Sequence, residues 1–207
     1  MASPIHNQEL IQNSLNQTDL IQTANIYKLL SLLYSPPTEE FDEILTLLGQ
    51  NLQSLKPDLI PLVSGMKSLS ASTSMLQDLT IDHAKLFIGP FDLLAPPYGS
   101  IYLDGQRRIM GDSTMEVLQF YRQAGLNLSN KFKQPPDHIV TELEFMYYLT
   151  AQYVTTGNDQ WLMKKEEFLN NYLSKWIMNF TDRIQESAKT TFYKNLACLT
   201  LELILEH

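Results

Sequence analysis

Pro135-Pro136-Asp137-His138-Ile139-Val140-Thr141-Glu142-Leu143-Glu144-Phe145-Met146 is the stretch on which the reading of this chain turns. A proline pair halts the preceding element and suits a helix start, because its fixed φ matches the first turn and its missing N–H would be unpaired there. Asp137 then stands where a carboxylate can accept from an orphan backbone N–H, and its charge suits the positive end of the helix dipole. His138 and Glu142, at i and i+4, share one face of the new helix. Ile139, Leu143, Met146, Tyr147 and Val154 supply the apolar face that docks it. A histidine titrating near neutral pH is therefore expected at a helix mouth between two acids.

The same helical period extends in both directions. Leu20, Ile21, Ala24, Tyr27, Leu30 and Leu33 predict a helix from a Thr18 cap to about Leu33, ended by Pro36-Pro37. Thr38 should cap a second helix, striped by Phe41, Ile44, Leu45 and Leu48 and closed by Gly49. A weaker helix is expected over 58–69, a Ser-rich joint over 68–74, and a further helix from about Met75 to Phe87. Residues 89–111, dense in proline and glycine, read as one long ordered loop, and such loops in compact domains are commonly functional. Helices resume over 112–124, 136–156, 158–180 (broken near Asn171) and 187–204. The expectation is all-α, a single helical domain of about eight to ten helices over residues 1–204. Leu205-Glu206-His207 reads as the remnant of a histidine tag.

Composition bounds the class of function. With 207 residues, 44% hydrophobic and 18% charged, the chain can build a real core and is not disordered. The formal charge of −8 disfavours nucleic acid and anionic lipid as partners. One cysteine excludes an internal disulfide and any cysteine-rich metal site. Residues 1–17 lack the basic region and apolar run of a secretory signal, and no stretch is long and apolar enough to span a membrane. Arg107-Arg108 is internal and without a following apolar run, so it is not an export signal of the chain's own. A cytoplasmic location without stable membrane insertion is expected.

Pro135 to Met146 resembles the motif of the TorD/DmsD/NarJ family of maturation chaperones for molybdenum-containing redox enzymes. A second stretch carries the same resemblance: Leu86-Phe87-Ile88-Gly89-Pro90, then Pro96-Pro97-Tyr98-Gly99-Ser100-Ile101-Tyr102-Leu103-Asp104. The two motifs stand in the family's order and spacing over about residues 80–155. The resemblance implies an all-helical cytoplasmic chaperone, monomer or homodimer, and not an enzyme. Its implied partner is an immature molybdopterin oxidoreductase subunit or that subunit's twin-arginine signal peptide, held until cofactor is inserted. It implies no cofactor of the chaperone's own, although weak guanine nucleotide binding is associated with some members. On this chain it implicates Tyr98, Ser100, Tyr102, Asp104, Asp137, His138 and Glu142 in peptide binding. The chain departs from the pattern in two places. Gln134-Pro135-Pro136 stands where some members have an acid, and the aromatic loop has only Tyr and Phe where many have Trp.

The residues themselves point the same way. No basic residue lies between Lys85 and Arg107 or between Lys133 and Lys164, while Asp92, Asp104, Asp137, Glu142, Glu144 and Asp159 are acidic. If the two segments face each other, they form an apolar groove with an anionic rim, suited to an apolar peptide carrying arginines. The plainer reading is a solvated acidic face. Tyr98, Tyr102 and Phe91 read equally as aromatic anchors or as inward pins of the loop. Met110, Met115 and Met146 could form an adaptable wall. Ser100 lacks a nucleophile elbow, and its hydroxyl is expected to tie the turn to its own backbone. Cys198, Trp161 and Trp176 read as packing residues. The competing function is a nucleotide- or metal-binding helical enzyme or switch centred on Asp137-His138, with Glu142, Asp82 and His83 as further donors. No phosphate cradle or zinc spacing accompanies it.

Overall fold

The computed structural model describes residues 17–67, 73–89, 93–105, 109–126 and 134–205. The described residues form an all-α domain of helices α1 (Gln17–Leu33), α2 (Phe41–Leu55), α3 (Ile60–Lys67), α4 (Thr73–His83), α5 (Gly99–Leu103), α6 (Asp112–Gln123), α7 (Ile139–Thr156), α8 (Gln160–Phe168), α9 (Ser174–Ser187) and α10 (Thr191–Leu205). Two π-helical segments, Ala84–Ile88 and Leu169–Leu173, continue α4 and join α8 to α9. Phe91, Asp92, Arg107-Arg108 and most of the Ser-rich joint lie outside the described residues.

Helix α7 is the axis of the fold. Ile139, Leu143, Phe145, Met146 and Leu149 are all buried, so its first three turns are enclosed on most sides, as a core helix must be. It packs along α1 and against α8, while α10 packs on α9 and α3. Tyr147, read as part of the apolar face, instead points outward, and Phe145 takes its place in the core. The helix ends at Gly157, whose φ of 64° is the left-handed cap that glycine adopts without a Cβ penalty.

Aromatic rings tie the layers together. Phe41 of α2 stacks on Phe192 of α10 at 5.6 Å, and Phe145 of α7 meets Tyr121 of α6 at 4.3 Å. In α9, Trp176, Ile177, Phe180 and Ile184 form a buried stripe, with Lys175, Asn179 and Asp182 outside.

Several expected boundaries moved. Gly49 does not close α2, which continues to Leu55 because Leu52 is also a core position; Pro57 follows the true end. Thr38 does not cap it with its side chain; its carbonyl accepts from Phe41 N at 3.2 Å, one turn earlier than a helical ladder would begin. The expected loop 89–111 contains α5, a single turn built on Tyr98-Gly99. The break expected near Asn171 is the π segment. Beyond it α9 runs on to Ser187, since Ile184 extends its buried stripe. Among the described residues no helix is long and apolar enough to cross a membrane.

Candidate functional site

The two motif segments are bonded to each other. Tyr98 and His138 form an isolated antiparallel bridge. Gly99 N donates to Asp137 O at 2.9 Å, and Ile139 N donates to Pro97 O at 2.9 Å. The tyrosine and histidine rings meet edge to face, 5.2 Å between centroids. Pro97 and Pro136 have no N–H to place here, so their neighbours supply the pairing and the prolines only shape the turns.

The helix start differs from the sequence reading in a telling way. His138, not Asp137, is the cap of α7: Val140 N donates to its Nδ1 at 3.1 Å. A ring nitrogen that accepts from an amide carries no proton, so the ring is neutral. Burial agrees and pushes its pKa down to about 4, outweighing the neighbouring Asp137 charge. The near-neutral titration expected of His138 is therefore corrected. Its acceptor is used by the backbone, which leaves no free base at Nδ1.

Asp137 caps a different helix. Its Oδ2 accepts from Ser100 N, at the start of α5, at 2.8 Å, while Oδ1 is buried without a hydrogen-bond partner among the described residues. Ser100 contributes its amide rather than its hydroxyl, which is buried and unpartnered, so the expected local tie through Oγ is not made. Asp104 repeats the device one helix later: Ser113 N donates to its Oδ1 at 3.3 Å, at the start of α6. Asp104 also lies so close over Gly111 that any Cβ there would collide with its carboxylate.

Glu142 points into the core. Trp176 Nε1 donates to its Oε2 at 3.1 Å, and burial raises its carboxyl well above the usual range, with the Asp137 charge adding to the rise. Gly99 allows the indole this approach, since a Cβ there would sit 3.1 Å from Trp176 Nε1. Tyr102 stacks on the same indole, 5.7 Å between centroids and 19° apart, and donates its hydroxyl to Pro96 O at 2.8 Å. Tyr121 donates its hydroxyl to Pro136 O at 2.9 Å, pinning the proline turn to α6.

The anionic rim needs correction. Asp137 and Glu142 are each only 1% exposed and Ser100 is fully buried, so these three hold the junction from beneath. Glu144 pairs with Lys28 of α1 at 2.6 Å, and Arg183 of α9 lies over the Tyr102 ring. The segments that lack bases in sequence thus receive two from elsewhere. Exposed acids remain at Asp112 and Glu116, beside exposed Leu103, Met110 and Met115 at the α5–α6 connection. Met146 is buried and is no part of a wall. Between Gly99, Leu103, Asp137, Glu142, Tyr172 and Trp176 lies a cavity of about 30 Å³, enough for water but too small for a peptide side chain.

The other candidates have structural duties. Asp82 accepts from Lys189 N, Thr190 N and Thr190 Oγ1 at the entry to α10. His83 places Nε2 3.2 Å from Tyr34 O and its ring 5.2 Å from Phe87. Among the described residues no three His, Cys, Asp or Glu side chains converge on a metal position. Cys198, read as core, is exposed, because α10 turns that edge outward. Trp176, Tyr121 and Arg183 belong to the site and no motif contained them. The one available signal was Glu142 itself, an acid among the core positions of α7 that requires a buried donor.

Residues 38–182, which include both motif segments, match the family model of the nitrate reductase delta subunit. The chain is 30% identical over 195 residues to the Tat proofreading chaperone DmsD of Salmonella typhimurium, covering 90% of this chain and 89% of the relative. It is 27% identical over 202 residues to the chaperone protein TorD of Shewanella pealeana, covering 89% and 87%. A crystal structure from Archaeoglobus fulgidus, described as a redox enzyme maturation protein, shares the fold with a TM-score of 0.56 at 20% identity, covering 87% of this chain and 93% of that one. The chain belongs to the nitrate reductase delta subunit family and is related to the TorD and DmsD chaperones.

Proposed function

We propose that this protein is a cytoplasmic maturation chaperone that binds the twin-arginine signal peptide, or another part, of an immature molybdopterin oxidoreductase subunit. It holds that client until cofactor is inserted. The observation that carries this reading is the bonded junction of the two motif segments, supported by the relatives' names. In it Ser100, Asp104, Asp137, His138 and Glu142 set the backbone and the aromatic platform, while Tyr98 and Tyr102 reach the surface. Exposed Leu103, Met110 and Met115 suit the apolar run of a signal peptide, and exposed Asp112 and Glu116 suit its arginines. The chemistry is recognition. His138 has no free base at Nδ1, and Ser100 Oγ is closed from solvent.

Calorimetric titration with a synthetic peptide of paired arginines followed by an apolar run tests this. Micromolar or tighter binding is expected, about −8 kcal/mol or better. The affinity should fall as salt rises and fall again for the Lys-Lys peptide. Equal binding of both peptides would remove the recognition of arginine, and binding of neither would remove the signal-peptide reading.

A further inference from the structure

Resting on that function, we propose that Arg183 occupies, in the free protein, the place on the Tyr102 ring that a client arginine takes on binding. Arg183 thereby raises the threshold that any cation taking this ring face must meet.

Three observations converge. First, Tyr102 is a preset platform. Its hydroxyl is bonded to Pro96 O, its ring is stacked on Trp176, and Trp176 is held by Glu142. The Arg183 guanidinium carbon lies over this ring, 5.5 Å from its centroid. Second, among the described residues Arg183 has no carboxylate within ion-pairing distance, in a chain with 23 acidic and 15 basic residues. Its partner in the structure is an aromatic face, a contact that a second guanidinium can replace atom for atom. Third, both motif segments are free of basic residues over 86–106 and 134–163, so this cation reaches the motif tyrosine only because α9 packs against α5.

Two guanidinium groups cannot share one ring face, and their like charges repel. A client arginine must therefore displace Arg183, at the same free-energy cost as any other cation that takes that face. Arg183 weakens every ligand that takes this ring face by one common factor and leaves ligands that bind elsewhere unaffected.

The test is peptide titration of the full chain and its Arg183→Gln variant, with thermal melts to confirm an unchanged fold. Removing the competitor should tighten the twin-arginine peptide about two- to fivefold, the order of one cation–π contact at a half-exposed site. Arg183→Lys should fall between. In a Tyr102→Leu background the gain from Arg183→Gln should vanish, because the contested ring is gone. Unchanged or weaker binding by Arg183→Gln, with the unaltered chain binding normally, overturns the role of Arg183 and leaves the chaperone reading intact. No binding by either protein overturns both.

Discussion

Glu142 faces the Trp176 indole, Asp137 and Tyr121 rather than a base, so its ionised form is disfavoured where it lies. A glutamine there keeps an oxygen acceptor for the indole and removes the charge. Glu142→Gln should therefore melt at or above the unaltered protein at pH 8, by about 2–4 °C for each kcal/mol gained. A lower melting temperature would mean that the ionised acid is required. Asp137 offers the converse case. Asp137→Asn retains an acceptor for Ser100 N and should cost at most about 1 kcal/mol, whereas Asp137→Ala strands that amide and should cost about 1–3 kcal/mol. Paired urea titrations separate the two, and equal losses would deny the cap its role. His138→Asn preserves a capping acceptor for Val140 N and removes the titrating ring, so it should lose little stability at pH 7 and resist acid better than the unaltered chain.

At the scale of elements, the recurrent device is the helix capped from outside. Asp137 caps α5, Asp104 caps α6 and Asp82 caps the entry to α10. Each joins parts of the chain that no local rule connects, so each acts as a tertiary fastener as well as a cap. Asp82→Ala should therefore destabilise by about 1–3 kcal/mol, since it leaves the Lys189 and Thr190 amides without acceptors, and differential scanning calorimetry would read the loss. A loss under about 0.5 kcal/mol would show that solvent satisfies them equally well. The π segment Leu169–Leu173 has a related effect. It brings Tyr172 to the cavity beneath the junction and leads into α9, so that Trp176 and Arg183 arrive at Tyr102.

For the whole molecule, these buried groups define a window of stability. His138 and His83 titrate below their ordinary 6.5 in the fold, so the unfolded chain binds protons first as pH falls. Their contribution is complete above pH 6.5 and is lost through about pH 4 for His138, on the order of 3 kcal/mol for that residue. Glu142 works in the other direction: its raised pKa favours the native state in acid, and that contribution is lost as pH rises above the ordinary carboxylate range. Melting temperatures across pH 4–9 should pass through a maximum, and Glu142→Gln should flatten its alkaline side. The helical class, the punctuation by proline and glycine, and the two motif segments were legible in the sequence. Periodicity, turn chemistry and the wording of a motif are properties of neighbouring residues. That these segments would meet was legible only as a condition. Which helix each aspartate caps, that Asp137 and Glu142 are buried, that Lys28 pairs with Glu144, and that Trp176 and Arg183 complete the Tyr102 platform were decided by the tertiary structure. The physical reason is that burial and charge pairing depend on which distant surfaces pack together, and here the packing of α9 on α5 and of α1 on α7 settles both.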